Sequence, residues 1–451
     1  MERAKKGFIA AAAVALLLIT AGCSQTPSST GESSTIKVML WGNNNDITSI
    51  KTAAAGFIKA NKNVKVVFET GDCGVDYAAC KTLAAGKNMP DVFVAGSWTY
   101  YQAANDGLTE SLDSYLKKDG LPTSDFTPAV MRALKSPSTG KTYGLPMGYN
   151  VQSLFFNKDL FKKAGLADPP ADGSYTYDDL RSWAKKLTLD KSGNNADSPS
   201  FDASNIVQHG YFNFSANTPA IEPGYGPVIA ADGGGILNGS LRNKCIADSA
   251  GTIKGFQLLQ DMMWKDHSTI TPQLQQEESG SARWVRGEVA MQQGSHEQVT
   301  AVQTGNPSLK YDIAALPKGS AGNASLVQIH IWSMAHASKS KDAAWMFIKY
   351  MTTTGSGKQM GLIPAYKDKA QGADFAKAPN EPSNLVAAQL VPAGWKDTYV
   401  NVDPSAVWAS VTSQDGVGPA IDDITNNRKT AKEALTGICK STIDPLLSAA
   451  G

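Results

Sequence analysis

The chain has 451 residues, 42% of them hydrophobic and 18% charged, ordinary proportions for a folded protein of more than one structural unit with a core large enough to need no disulfide for folding. Its formal charge is +1, and residues 1–22 hold three bases (Arg3, Lys5, Lys6) against one acid (Glu2), leaving 39 bases and 40 acids in the rest. Such a balance excludes an electrostatic argument for nucleic acid or an anionic membrane surface as partner, so specificity must come from local chemistry.

Residues 1–22 read as a secretory signal: a basic start, an apolar run over 8–20 that is too short to span a bilayer, then small residues. Ile19-Thr20-Ala21-Gly22-Cys23 resembles a bacterial lipobox, although leucine is commoner at the position of Thr20. The lipobox implies lipidation of Cys23 and anchoring at the outer face of the bacterial cell membrane; a plain signal with an incidental cysteine is the alternative. Residues 23–34 are rich in Ser, Thr, Pro and Gly and read as a flexible tether.

The first predicted strand is Ile36-Lys37-Val38-Met39-Leu40-Trp41, followed by a polar turn at Asn43-Asn44-Asn45-Asp46 that offers helix caps. A helix is expected over 47–60, with Ile47, Ile50, Ala54, Phe57 and Ile58 on one side, then a strand at 64–68 and a helix near 75–86. Met89-Pro90-Asp91 turns into a continuously apolar strand, Val92-Phe93-Val94, of the kind found in parallel sheets covered on both faces. Turn and strand recur over 143–157, with helices at 158–165 and at 177–187, the latter capped by Thr176. A strong amphipathic helix follows over 253–264, strands over 288–291 and 311–316, a helix over 341–351, and a mainly helical last hundred residues. Alternation of strand and helix makes the class α/β.

Four cysteines remain after the signal: Cys73, Cys80, Cys245 and Cys439. An oxidising compartment permits two disulfides in three possible pairings; the short local loop favours Cys73–Cys80, which leaves Cys245–Cys439. No CxxC pair or nearby histidine supports a metal site, and nothing calls for a cofactor.

Several short segments, in chain order, are similar to those of the family 1 extracellular solute-binding proteins, which include the maltose-binding protein. They are Ala84-Ala85-Gly86-Lys87-Asn88-Met89-Pro90-Asp91-Val92, Asp106-Gly107-Leu108-Thr109-Glu110-Ser111-Leu112-Asp113, Tyr143-Gly144-Leu145-Pro146, and Leu154-Phe155-Phe156-Asn157-Lys158-Asp159-Leu160-Phe161. Ile229-Ala230-Ala231-Asp232-Gly233-Gly234, Arg286-Gly287-Glu288-Val289-Ala290-Met291, Leu316-Pro317-Lys318-Gly319 and Ser338-Lys339-Ser340-Lys341-Asp342-Ala343-Ala344-Trp345 continue the series. The resemblance implies a two-lobe, type II periplasmic-binding-protein-like fold with hinge strands and a central cleft. By position, lobe one would be 35–145 plus 330–365 and lobe two 146–329 plus 366–451. It further implies a monomer that captures a carbohydrate, a di- or oligosaccharide, by closing the lobes, and that delivers it to the membrane subunits of an ABC importer.

A sugar presents apolar C–H faces to aromatic rings, and hydroxyls that both donate and accept. Its cleft needs aromatics interleaved with polar side chains on loops at strand ends. Trp41, Asn43, Asn44 and Asp46 fit at the end of the first strand, and Ser97 and Trp98 at the end of the third, the carboxyl edge at which open α/β sheets bind ligands. Tyr149 and Asn150 open the expected crossing, with Asn150 where the maltose-binding protein has a sugar-contacting acid. Tyr211, in an aromatic cluster, and Gly233, in a turn able to approach the cleft, follow. His296, His330, Trp332, Tyr366 and Trp395 complete the candidates; many relatives carry Trp near His296. Each aromatic has a core alternative and each Asn a turn-forming one.

Enzyme readings find no support: there is no GxSxG elbow and no HExxH, and Lys135 stands where a P-loop ending in Gly140-Lys141-Thr142 requires Gly. The rivals are the same scaffold with a non-sugar solute, and a secreted glycan-binding or hydrolytic protein.

Overall fold

The computed structural model describes residues 33–213, 221–239, 242–357, 359–373, 375–394, 399–401 and 407–449. The signal segment, Cys23, most of the tether and Trp395 lie outside the described residues.

Strand β1 (Ser34–Leu40) leads into helix α1 (Asn44–Ala60), β2 (Val64–Thr70), α2 (Tyr77–Ala85), β3 (Val92–Gly96) and α3 (Ser97–Asn105). Helix α1 begins three residues before its apolar pattern because the Asn turn is itself the cap. The Asn43 side chain accepts from the backbone N–H groups of Asn45 and Asp46, and Asp46 accepts from the N–H of Asn43. Ile50, Ala54 and Phe57 are then buried on one face. Every residue of β3 is buried, as its unbroken apolar run requires.

The chain continues through β4 (Gly144–Val151), β5 (Ser153–Asn157), β6 (Leu189–Asp190), β7 (Ile206–Phe212), the hairpin β8 (Leu237–Asn238) and β9 (Lys244–Cys245), β10 (Val289–Gly294) and β11 (Tyr311–Ala315). A second hairpin, β12 (Lys318–Gly319) and β13 (Gly322–Asn323), precedes β14 (Leu326–Met334), and β15 (Tyr399–Asn401) comes last. Among the described residues these strands form a six-stranded sheet, β15-β14-β3-β1-β2 with β4 also on β14, and a five-stranded sheet, β11-β5-β10-β7-β6. Neither is purely parallel. β1 runs parallel to β2 and β3, and β10 to β7, while β14 lies antiparallel to β3 and β4, and β5 antiparallel to β10 and β11.

Among the described strands the chain passes from one sheet to the other at Gln152 and at Ser325. There Gln152 N–H donates to the Leu326 carbonyl at 3.0 Å and Ser325 Oγ donates to the Gln152 carbonyl at 2.9 Å. The boundaries drawn from sequence, at 145/146 and 329/330, are therefore corrected. Residues 146–151 and 326–329 pair in the first sheet because β4 and β14 run their full length as one antiparallel couple. β15 also joins the first sheet, whereas the helices Gly418–Thr425 and Ala431–Leu435 pack into the core of the second.

Three apolar clusters fill the molecule. One lies under α1 and the helix Lys341–Thr352, and a second belongs to the five-stranded sheet. The third runs from Phe93, Tyr149 and Ile329 to Phe155, Val289 and Ile313, and so joins the two sheets. The expected disulfides Cys73–Cys80 and Cys245–Cys439 are both formed, and Thr176 caps its helix with a capping box completed by Asp179.

Candidate functional site

Because β1 and β3 are parallel neighbours, with Val38 opposite Val92, their carboxyl ends lie side by side. Trp41 follows one end and Ser97-Trp98 the other, while His330 of β14 sits opposite Gly96. The three rings converge: Trp41 and His330 centroids are 4.9 Å apart, Trp41 and Trp98 6.1 Å, Trp98 and His330 6.4 Å. Both indole N–H groups are satisfied by backbone, Trp41 on the Val94 carbonyl at 2.8 Å and Trp98 on that of Val75 at 3.1 Å. The two indoles remain half-buried, so part of each ring is open to contact.

The loop closed by Cys73–Cys80 supports this aromatic group. The Gly74 carbonyl accepts from Gly96 N–H at 2.8 Å and from Thr99 Oγ1 at 2.7 Å. Gly74 must be glycine: a Cβ there would stand 1.6 Å from the Val94 carbonyl oxygen and 2.9 Å from Trp41 Nε1. The same holds at Gly96, where a Cβ would meet the Trp98 ring at 2.5 Å.

Polar groups come from both sheets. Asn150, 2% exposed near the end of β4, donates its side-chain amide to Glu297 Oε1 at 2.6 Å. Glu297 opens the helix Glu297–Gly305 just beyond the carboxyl end of β10. Its residue is exposed at the surface. Desolvation pushes its pKa up, Asn150 pulls it back, the Asp46 carboxylate raises it again and His296 lowers it. Met360 N–H donates to Ser49 Oγ of α1 at 2.9 Å and the Gly361 carbonyl meets His296 Nδ1 at 2.8 Å, so the 360–361 turn brings α1 and the start of this helix together. Burial pushes His330 down to about 4, so its ring is neutral near pH 7. Ser97 Oγ, Asn150 Oδ1 and His330 Nδ1 are buried without a hydrogen-bond partner among the described residues, an arrangement that calls for water or a ligand to supply one.

Of the residues singled out from sequence, Trp41, Asp46, Ser97, Trp98, Asn150 and His330 come together. Asn43 spends its carbonyl oxygen on the α1 cap, and Asn44 is exposed beside it. The others are corrected. Trp332 is fully buried, edge-on to Phe347 at 5.6 Å, because the apolar face of β14 continues beneath the helix Lys341–Thr352. Tyr149 is sealed in the shared core, its hydroxyl 3.4 Å from Thr127 Oγ1. Tyr211 is 1% exposed and donates to Gln293 Oε1 at 3.1 Å, which leaves no open ring face. His296 is also consumed: Nδ1 meets the Gly361 carbonyl and Nε2 the Glu381 carboxylate, each at 2.8 Å, and Phe375 covers the ring at 4.8 Å. Gly233, at φ +76°, only turns the chain out of the helix Ile221–Ala231 beside Ala321. Tyr366 packs against Phe126 at 5.4 Å, with its hydroxyl 3.5 Å from Asp125.

Sequence reasoning missed Glu297 and the 73–80 loop. The strand-end rule that selected Trp98 would have found Glu297 if applied to β10; nothing local announces the loop's role. A cavity of about 1010 Å³ lies apart from this group, between Lys158, Lys162, Lys310, Tyr311 and Ser383. It shares no residue with the converging aromatics. Among the described residues no group of three or more His, Cys, Asp or Glu is placed to hold a metal ion.

The chain is similar to known solute-binding proteins. The profile of the bacterial extracellular solute-binding protein family matches residues 41–358. A binding protein of Brucella abortus is 24% identical over 298 residues, 64% of this chain, and the chain spans only 65% of that relative's length. A maltooligosaccharide ABC transporter solute-binding lipoprotein of Streptococcus pneumoniae is 28% identical over 179 residues, 39% of this chain and 38% of the relative. The ABC substrate-binding protein of Listeria monocytogenes solved with cycloalternan superposes with a TM-score of 0.74 at 21% identity, over 93% of this chain and 100% of the other. The sugar-binding protein MalE of Xanthomonas citri gives 0.73 at 16%, over 92% and 98%. At these identities the likeness establishes the two-lobe fold.

Proposed function

We propose that this chain, which belongs to the bacterial extracellular solute-binding protein family, captures a carbohydrate between its two sheets and presents it to the membrane subunits of an ABC importer. One observation carries the reading: two half-open indoles stand together with His330 at the carboxyl ends of β1 and β3, and Asn150, on the strand paired beside His330, bonds Glu297. Rings for the C–H faces and acceptors for the hydroxyls are the two things a saccharide needs. The ligands named for the Listeria, Xanthomonas and Streptococcus proteins belong to the same chemical class.

Among the described strands the chain passes from one sheet to the other at Gln152 and at Ser325, and these positions form the hinge of this reading. A solute touching Trp98 on one side and Glu297 on the other favours the closed state by its differential contacts. Lipidation at Cys23 would hold the protein at the outer membrane face and raise its effective concentration near the importer. The chain works as a monomer, without catalysis. A phosphorylated solute would want basic side chains, and the converging residues include no Lys or Arg.

A thermal-shift screen over mono-, di- and oligosaccharides tests the reading, because a ligand that binds only the folded state raises its apparent stability. At least one saccharide should raise the midpoint; a shift produced only by another solute class would overturn the carbohydrate assignment.

A further inference from the structure

The start of the helix Glu297–Gly305 reaches from the second sheet to the first at two adjacent residues. Glu297 Oε1 accepts from the side-chain amide of Asn150, on β4, at 2.6 Å. His296 Nδ1 lies 2.8 Å from the Gly361 carbonyl oxygen, and since a carbonyl can only accept, Nδ1 is the donor. Both targets belong to the first sheet. Met360 N–H donates to Ser49 Oγ of α1 at 2.9 Å, and Ile363 exchanges two backbone hydrogen bonds with Tyr149 of β4, each at 2.9 Å. Met360 and Leu362 are buried in the apolar cluster under α1. One helical turn beyond His296, a Cβ at Gly361 would lie 3.6 Å from Thr300 Oγ1, so the turn and the helix are in close contact.

His296 is held from the side of the second sheet. It is 1% exposed, and its Nε2 meets the Glu381 carboxylate at 2.8 Å. The segment that follows Glu381 is tied to β11, where Asn384 N–H donates to Asp312 Oδ1 at 3.1 Å. A ring fixed in this way cannot follow the first sheet when the sheets part, so the bond to Gly361 must stretch or break. The contact stands on the cleft side. His296 follows the carboxyl end of β10, and the Gly361 turn packs on α1, which follows the carboxyl end of β1. We propose that His296, braced by Glu381, is a clasp that draws the two sheets together before any solute arrives. It thereby sets how much of the solute-free protein is already closed. His296 touches no solute in this role. It is a positioning residue that acts on affinity through the open–closed balance, because apparent affinity scales with the fraction already competent to bind. The clasp rests on closure of the lobes and names an internal contact that biases it.

Small-angle X-ray scattering of the solute-free protein, wild type beside His296→Ala, tests it. The variant should have the larger radius of gyration. A saccharide identified by thermal shift should bring both to the same compact form, with the variant's affinity lowered roughly threefold to tenfold. Two further variants separate the bonds. His296→Asn keeps an amide donor near the position of Nδ1 and should retain the wild-type profile, whereas His296→Gln reaches toward Glu381 and should behave like His296→Ala. If His296→Ala folds poorly, the Asn and Gln variants decide. Identical solute-free profiles in wild type and His296→Ala, or identical behaviour of the Asn and Gln variants, overturn the clasp. So does a saturated variant that stays wider than the saturated wild type, since that is lost structure rather than a shifted balance. Failure of every saccharide would overturn the carbohydrate reading and leave the comparison of solute-free profiles intact.

Discussion

Trp98 donates its indole N–H to the Val75 carbonyl at 3.1 Å, which makes the ring's position depend on a loop closed by Cys73–Cys80. The disulfide is buried, and Gly74 within the loop also anchors Gly96 and Thr99. Replacing both cysteines by serine should cost about 2 kcal/mol in denaturant unfolding, the chain-entropy value for so short a loop. It should also weaken saccharide binding by loosening the Trp98 platform. Unchanged affinity with lowered stability would show that the loop stabilises the fold without setting the ring.

Trp98 itself is half-buried with its N–H engaged, so its exposed ring surface is free to stack on a sugar. Trp98→Ala should reduce saccharide affinity roughly 10- to 100-fold, the scale of a central aromatic anchor. Thermal-shift titration of variant and wild type checks this; identical ligand-induced shifts would remove Trp98 from the site.

Trp332 should behave in the opposite way. It is fully buried against Phe347, and Trp332→Ala should cost about 3–5 kcal/mol through cavity formation. Affinity per folded molecule should stay within about threefold. A large loss of affinity without loss of stability would return Trp332 to the cleft.

Burial pushes the pKa of His209 down to about 4, with Arg283 adding to the effect. In the unfolded chain histidine titrates near ~6.5, so between these values the unfolded state binds more protons and acid destabilises the fold. The contribution is fully present above that unfolded value and is lost as pH falls toward about 4. His330 adds the same sign, while Glu297, pushed up, opposes it. Between pH 7 and pH 5 the wild type should lose about 2 kcal/mol more stability than His209→Gln in urea titrations. Parallel losses would mean that His209 is not held neutral.

The alternating elements of the first ninety-odd residues, the strand-end tryptophans and the disulfide pairs were legible in the sequence because their signals are local: period, cap and spacing. What failed depends on distant partners. The turn after β10 drew attention to His296, yet the residue facing the recess is Glu297; His296 is claimed by Gly361 and Glu381, 65 and 85 positions away. Tyr211 looked like a platform until Gln293, 82 residues on, took its hydroxyl. His330 and Trp332 share a strand and a parity, but only the first reaches the cleft, since position along a strand relative to the covering helix is not written in its period. The crossings at Gln152 and Ser325 likewise follow from pairing between β4 and β14, strands some 180 residues apart.

Small-angle X-ray scattering with and without a saccharide identified by thermal shift tests most directly whether the two sheets close on a carbohydrate. The account predicts a smaller radius of gyration on saturation in the wild type, and no such compaction in Trp98→Ala at a concentration that saturates only the wild type. Superimposable profiles from bound and free wild-type protein would contradict it.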